Sequence, residues 1–288
     1  VQKVLDAWGT TLDRLADKYP TLLEFENDLK AKVGPMSIMK PLDERLVDID
    51  HYYDDILLSS EAIFACYKGS FVQVCTSLRG LRPRSRDKTL NRMKLSTNSG
   101  SPYFTKRRNV VNDTLPFSIR ILIVTMELKL SGGDSMMHVA VLGWRGQEGG
   151  PSADDVKQRV VWMFPFAVNI AELQVYQPLI EAAQRFNLEP SWVSMDAVDE
   201  RITRMFDTKG VDDLVICTDF SKFDQHFNAD MQKCANQILS RIINNSDASR
   251  SWIEEIFPIK YSIPLAYDYG KIRYGHHGMG SGSGGTNA

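Results

Sequence analysis

The sequence predicts an α+β fold. Two observations carry the prediction: apolar residues recur at helical spacing near 4–15, 21–33, 168–187, 195–206 and 229–242, and β-branched apolar runs occupy 119–128, 137–144 and 214–218. Composition supplies a third, since 288 residues with 43% hydrophobic, 24% charged and 10% aromatic side chains can bury a sizeable core in one or two domains. No apolar run approaches the roughly 20 residues that cross a bilayer, and Val-Gln-Lys-Val-Leu-Asp at the N-terminus lacks the pattern of a signal peptide. Cys66, Cys75, Cys217 and Cys234 form no Cys-x-x-Cys pair, so neither a zinc site nor a disulfide framework is indicated and a reducing compartment is expected. A first residue other than Met and a Gly/Ser-rich end predict an excerpt of a longer protein.

In chain order, Val4, Leu5, Trp8, Leu12 and Leu15 share one helical face, Pro20 interrupts, and Thr21-Leu-Leu-Glu24 reads as a capping box before Leu29 and Val33. Both helices read as packing elements. Pro35 and Pro41 mark a connection, and Asp43, Asp48, Asp50, Asp54 and Asp55 form an acidic stretch whose spacing fits no EF-hand; it reads as a solvated face.

A net charge of −2 hides an asymmetry: residues 1–60 carry 12 acidic and 7 basic side chains, residues 61–110 carry 2 and 11. Such separation suggests a local anion-binding surface, with nucleic acid an obvious partner. The basic side chains run from Arg79 through Arg82, Arg84, Arg86, Lys88, Arg92 and Lys94 to Lys106, Arg107 and Arg108. Between them, Ser96-Thr-Asn-Ser-Gly-Ser-Pro102 offers amides and hydroxyls to a phosphodiester backbone. A targeting signal or a linker fits the same charges.

The runs 119–128 and 137–144, joined through Ser131-Gly-Gly-Asp-Ser135, read as one β-hairpin. Gly132-Gly-Asp134 and Val211-Asp-Asp213 read as structural turns, and His138 as a sheet or core histidine. In Val156-Lys-Gln-Arg-Val-Val-Trp162, an extended backbone puts Lys157 and Arg159 on one side, where two cations could clamp a triphosphate or merely protect an edge. Helices follow at 168–187 and 195–206 as scaffold.

In Asp213-Leu-Val-Ile-Cys-Thr-Asp-Phe-Ser-Lys-Phe-Asp-Gln-His-Phe227, a short strand at 214–218 delivers Asp219 at its end and Asp224 after a turn. Two carboxylates at a strand end suit a divalent cation, although the segment by itself reads sooner as a surface turn with two solvated acids. Asn228 caps the next helix through Met231, Cys234, Ile238, Leu239 and Ile242. Glycines at 275, 278, 280, 282, 284 and 285 permit positive φ and close backbone approach, as a nucleotide-contacting loop or a linker would. The adjacent pair His276-His277 is poorly arranged for a metal, because neighbouring side chains diverge.

Four segments together resemble the viral RNA-directed RNA polymerases. Thr97-Asn-Ser-Gly-Ser-Pro102 resembles motif G, Lys157-x-Arg159-x-Val-Trp162 motif F, Asp219-x4-Asp224 motif A, and Ser281-Gly-Ser-Gly-Gly-Thr286 the start of motif B, in that family's order. Asp-Phe-Ser-Lys-Phe-Asp-Gln and Gly-Met-Gly-Ser-Gly-Ser-Gly-Gly-Thr-Asn are most similar to picobirnavirus polymerases, then to those of partitiviruses.

The resemblance implies the fingers and partial palm of a right-hand polymerase, with the motif C region and thumb absent. Residues 1–78 would extend the fingers, 79–206 form them, and 207–288 begin the palm. By the same resemblance Asp219 would be catalytic, holding Mg²⁺ or Mn²⁺, and Asp224 would monitor the ribose. Lys157 and Arg159 would neutralise the triphosphate, and Ser281, Gly282 and Thr286 would form the loop that senses the nucleotide. Thr97, Ser99, Gly100, Arg84, Arg86, Lys106 and Arg107 would guide template RNA. Implied partners are template and nascent RNA and ribonucleoside triphosphates, with a viral capsid left open, in the host cytoplasm or virion interior. Motif B of the family continues to an Asn four positions after its Thr, and Asn287 stands too close for that role. Without motif C the chain alone is expected to be inactive. The alternatives are a reverse transcriptase-like palm nucleotidyltransferase and an RNA-binding module without catalysis.

Overall fold

The structure, a computed structural model, describes residues 2–36, 39–54, 76–122, 125–131, 133–148 and 156–286. Asp55, Cys66, Cys75, Gly132 and Asn287 lie outside these residues. The helices are α1 (Gln2–Leu15), α2 (Pro20–Met36), α3 (Leu42–Asp54), α4 (Arg86–Leu90), α5 (Val111–Thr114), α6 (Phe166–Arg185), α7 (Met195–Thr208), α8 (Ala229–Ile242) and α9 (Asp247–Ser251). The strands are β1 (Ser118–Ile121), β2 (Met126–Lys129), β3 (Ser135–Met137), β4 (Ala140–Glu148), β5 (Val156–Met163), β6 (Leu265–Asp268) and β7 (Lys271–Arg273). The chain divides into two compact units, Val1–Leu46 with Trp144–Val160 and Val47–Gly143 with Val161–Ala288.

In the first unit, α1 and α2 are linked through Trp8, whose Nε1 donates to Glu26 Oε2 at 3.4 Å. Pro20 itself is the first residue of α2, where its missing N–H costs nothing. Thr21 therefore lies inside the first turn, and the expected capping box does not form. The distal parts of β4 and β5 complete this unit, with Lys40 N donating to Gln158 Oε1 at 2.9 Å.

The second unit is built on α6. Every side chain from Phe166 to Glu172 is buried, as expected of a helix surrounded by protein. Its first turns carry Phe166, Ala167, Ile170 and Ala171 into a cluster with Val110, Phe117 and Leu128. Further along, Val175, Tyr176 and Leu179 enter a second cluster with Leu239, Ile242, Trp252, Phe257 and Tyr261. Trp252 Nε1 donates to Ala171 O at 2.7 Å, satisfying a polar group that burial would otherwise penalise. Asn228 caps α8 by accepting from Met231 N at 3.1 Å.

Three strands form an antiparallel sheet in the order β1-β2-β3, and a second sheet has the order β5-β4-β6-β7. In the latter, β4 runs parallel to β6 with Ala140 opposite Leu265, and β7 returns antiparallel. The run 119–128 is thus two strands and not one: Ile121 faces Met126, and Leu122 N donates to Thr125 O at 2.8 Å to close the turn. An apolar run carries no sign of where it reverses when the turn lacks Gly, Pro or Asn. The expected partnership with the later run survives only as β2 with β3, Glu127 opposite Met137. His138 is buried beside this sheet, its N donating to Met126 O at 3.0 Å, and burial lowers its ring pKa.

The expected strand at 214–218 does not form. Leu214 and Ile216 are 87% and 79% exposed, and the segment is irregular. Strand backbone is stable only when a neighbour completes its hydrogen bonds, and among the described residues no strand pairs with it.

Candidate active site

Beyond the exposed segment the chain makes a turn at 221–226 whose geometry is tightly specified. Lys222 adopts φ +50, uncommon for a side chain with a Cβ, and its carbonyl accepts from Gln225 N at 3.0 Å and His226 N at 3.2 Å. Its ammonium reaches Asp48 Oδ1 on α3 at 2.6 Å. Phe223 packs edge-on against Phe227, which stacks on Tyr261 at 5.8 Å. Asp219 precedes the turn, exposed, and no protein donor reaches it among the described residues. Asp224 is half-buried: Tyr52 on α3 donates its hydroxyl to Oδ2, and Gln225 N donates to Oδ1 at 3.1 Å.

The glycine-rich segment is packed against this turn and is no linker. Gly278 N donates to Tyr52 O at 2.6 Å and Met279 N to Asp224 O at 2.8 Å. A Cβ on Gly278 would stand 2.5 Å from the carbonyl oxygens of both Asp224 and Gln225, so the approach requires glycine. His277 is buried with its two ring nitrogens facing Gly278 O at 2.7 Å and Ile263 O at 3.0 Å, and its ring stacks on Trp162 at 4.3 Å. Burial lowers its pKa to about 4, which keeps it neutral and makes it a core residue.

Ser281 O accepts from Trp162 N on β5 at 2.7 Å. Gly282 holds φ +124, and a Cβ there would meet Trp162 O at 2.3 Å. Thr286 Oγ1 closes the loop on itself, donating to Ser283 O at 3.1 Å and accepting from Gly282 N at 3.3 Å. From α6, Glu172 Oε2 accepts from Gly284 N at 2.6 Å. Lys260 O accepts from Gly280 N at 2.9 Å, and the Lys260 ammonium donates to Tyr176 Oη. Glu172 and Lys260 are both almost fully buried. Burial raises the Glu172 carboxyl and lowers Lys260 to about 8, each opposed in part by the partner's charge. Nothing local in the sequence marks this pair, since a lone Glu in a helix and a lone Lys after a Pro look like surface residues. Next to the loop, an apolar cavity of about 450 Å³ is walled by Tyr176, Phe223, Phe227, Tyr261 and Met279. Its walls suit hydrocarbon and not a triphosphate.

Of the expected site residues, the second unit thus brings together Asp224, Ser281, Gly282 and Thr286, with Asp219 preceding the same turn. Lys157 and Arg159 belong to the first unit, both exposed on β5, with Gln158 half-buried and Val160 buried between and beyond them. The alternation is the one an extended strand imposes.

The expected template contacts divide in two. Thr97 and Lys106 are exposed. Ser99 and Gly100 are buried and shape the loop: Ser99 Oγ accepts from Thr105 N at 3.2 Å, and Gly100, at φ +64, would put a Cβ 2.3 Å from Phe164 O. Arg84, Arg86 and Arg107 each direct donors into the protein. Arg84 forks onto Glu181 at 2.6 and 3.0 Å and reaches Gln177 at 2.9 Å. Its hydrogen bonds, then those of Arg92, hold the Glu181 carboxyl below its usual pKa. Arg86 lies over the Phe117 ring at 4.0 Å and donates to Phe117 O at 2.7 Å, while Arg107 donates to Asn169 Oδ1 at 2.6 Å. Burial lowers the pKa of both guanidinium groups.

Asp213, in the Val211-Asp-Asp213 turn, accepts from Gly210 N through Oδ2 at 2.7 Å and is structural. Within the acidic stretch, Asp48 and Asp50 are paired with Lys222 and Arg273, so that face is only partly solvated. Among the described residues no group of three or more His, Cys, Asp or Glu is placed to hold a metal ion. Asp219 supplies a hard carboxylate of the kind Mg²⁺ prefers, but not a coordination set. No described helix is long and apolar enough to cross a membrane.

Residues 44–288 match the family model described as viral RNA-dependent RNA polymerase. A "Potential RNA-dependent RNA polymerase" of a human picobirnavirus (strain Human/Thailand/Hy005102/-) is 54% identical over 296 residues, covering 100% of this chain and 54% of that protein. Crystal structures of a human picobirnavirus RNA-dependent RNA polymerase and of its insertion-loop deletion mutant are each 54% identical with a TM-score of 0.79. Each match covers 99% of this chain, and 54% and 56% of the respective solved chains. The chain therefore spans about half the length of the relatives it matches. With the family model running from α3 through the glycine loop, over every segment that builds the site, this chain belongs to the viral RNA-dependent RNA polymerase family.

Proposed function

We propose that this chain is the fingers and first part of the palm of an RNA polymerase that copies an RNA template from ribonucleoside triphosphates, and that it cannot polymerise alone. The observation that carries the reading is the backbone join between the two acid-bearing and glycine-bearing segments: Met279 N on Asp224 O, with Gly278 N on Tyr52 O. Segments far apart in sequence are held so that a carboxylate and a nucleotide-sensing loop share one surface. Residues 1–78, 79–206 and 207–288 are the proposed extension, fingers and partial palm, a division by role along the chain.

In this reading Asp219 contributes one carboxylate to the divalent cations, Mg²⁺ or Mn²⁺, which when bound stabilise the attacking and leaving oxygens. The remaining ligands come from outside the described residues. Asp224 accepts a hydrogen bond from the ribose 2′-hydroxyl. Lys157 and Arg159 balance triphosphate charge, Ser281, Gly282 and Thr286 report a correctly paired nucleotide, and Thr97 with Lys106 meets the template backbone. Ser99, Gly100, Arg84, Arg86 and Arg107 support that surface from within.

This division predicts different outcomes for two cations. Lys106→Ala is expected to reduce the salt dependence of RNA binding by about 0.7 in log–log slope, one phosphate's worth for single strands. Arg84→Ala is expected to leave the slope unchanged and to lower stability by about 1–3 kcal/mol through loss of the Glu181 fork. Thermal melting and RNA titrations at several salt concentrations check both; a lower slope for Arg84→Ala would make it a template contact.

The proposed function is tested by template-dependent incorporation of labelled ribonucleotides by the longer polymerase containing this segment. RNA binding without incorporation would reduce the protein to a binding module, and a preference for deoxynucleotides would make it a reverse transcriptase.

A further inference from the structure

The Asp224 carboxylate is held from behind by a residue that no polymerase-like motif in this sequence contains. Tyr52 lies on α3, is 1% exposed, and donates its hydroxyl to Asp224 Oδ2. Its ring packs edge-on against Trp162 at 5.3 Å, and Trp162 in turn stacks on His277. Its carbonyl accepts from Gly278 N at 2.6 Å. One residue therefore contacts the carboxylate, the end of β5 and the glycine loop at once. A carboxylate has about four lone-pair positions; Tyr52 uses one on Oδ2 and Gln225 N one on Oδ1, so the rest stay open while both oxygens are fixed in place.

We propose that Tyr52 is a positioning residue for sugar selection: its hydroxyl fixes the Asp224 carboxylate in the orientation that recognises a ribose 2′-hydroxyl. The inference rests on the sugar-monitoring role proposed for Asp224. A carboxylate free to rotate between solvent and substrate loses most of the advantage of a pre-aimed acceptor. Burial, and then the Asp224 charge, raise the Tyr52 phenol well above its ordinary pKa, so it stays a donor across the working range.

The test is single-nucleotide incorporation by the full-length polymerase, comparing kcat/KM for a ribonucleotide and its 2′-deoxy analogue. Tyr52→Phe removes one oxygen and keeps the ring against Trp162; the ribose-to-deoxyribose ratio is expected to fall about tenfold. The ratio is independent of the active fraction, so a folding defect that lowers both sugars equally leaves it unchanged and overturns the proposal. Asp224→Ala is measured in parallel. If its ratio falls while that of Tyr52→Phe does not, the Tyr52 role fails and the Asp224 reading stands; if neither falls, the Asp224 reading fails first. A second variant with 3-fluorotyrosine at position 52 keeps a hydroxyl donor and is expected to retain selectivity; loss there equal to that of Tyr52→Phe would also overturn the proposal.

Discussion

Replacing Asp219 by alanine is expected to lower the polymerisation rate of the full-length polymerase at least about 10³-fold, because the cations it would help hold supply several kcal/mol to the transition state. The same change is expected to be silent in every structural measurement. Asp219 is exposed and receives no hydrogen bond from the protein among the described residues, so nothing is left unpaired when it is removed. Stability should stay within about 0.5 kcal/mol, the usual range for such surface positions, and RNA affinity within about twofold. Single-turnover incorporation, thermal melting and RNA titration separate the three effects. A mutant with full activity would end the assignment; one that unfolds would mean the exposed segment carries packing not seen here.

Gly282→Ala should behave in the opposite way, damaging activity through structure. At φ +124 the backbone is unfavourable for any residue with a Cβ, a strain of about 1–3 kcal/mol. The added carbon would also meet Trp162 O at 2.3 Å, so either β5 or the loop must move. Trp162 is held by His277 and Tyr52 on one side, and the loop is tied to Lys260 O and Glu172 on the other. Displacement of about 1 Å in a positioning loop costs roughly 10²-fold in rate. Both a lower melting temperature and that loss of incorporation are expected. Retention of wild-type activity would show that the loop does not need its present path along β5.

The parts of this fold that local chemistry dictates were legible. Helical periodicity located α6, α7 and α8, and Asn228 announced the start of α8 through its capping side chain. Strand alternation placed Lys157 and Arg159 on the exposed side of β5. The order of four motifs pointed to the family that the comparisons then showed. What the sequence does not show depends on contacts distant along it. Arg84 looks like a free cation until Glu181, 97 residues on, is beside it. Tyr52 looks like one aromatic in an acidic helix until Asp224, 172 residues on, accepts a hydrogen bond from its hydroxyl. The apolar run at 214–218 has strand composition, but composition cannot supply the neighbour whose hydrogen bonds make a strand. Ser99 and Gly100, in a turn-rich stretch of polar residues, are buried because the loop approaches Phe164.

Glu172 and Lys260 show the same limit in electrostatic form. Their burial beneath Gly284 and Gly285 is invisible from residue types, and it gives the loop a polar base in a region otherwise made of aromatic rings. Glu172 ties the loop to α6 by accepting from Gly284 N at 2.6 Å.

The most direct measurement compares the 288-residue chain with the full-length polymerase in one primer-extension assay, with template, ribonucleoside triphosphates and Mg²⁺. The expected result is extension by the full-length polymerase only, with salt-sensitive RNA binding by both. Extension by the 288-residue chain alone would contradict the account, since among the described residues no group of three or more His, Cys, Asp or Glu is placed to hold a metal ion.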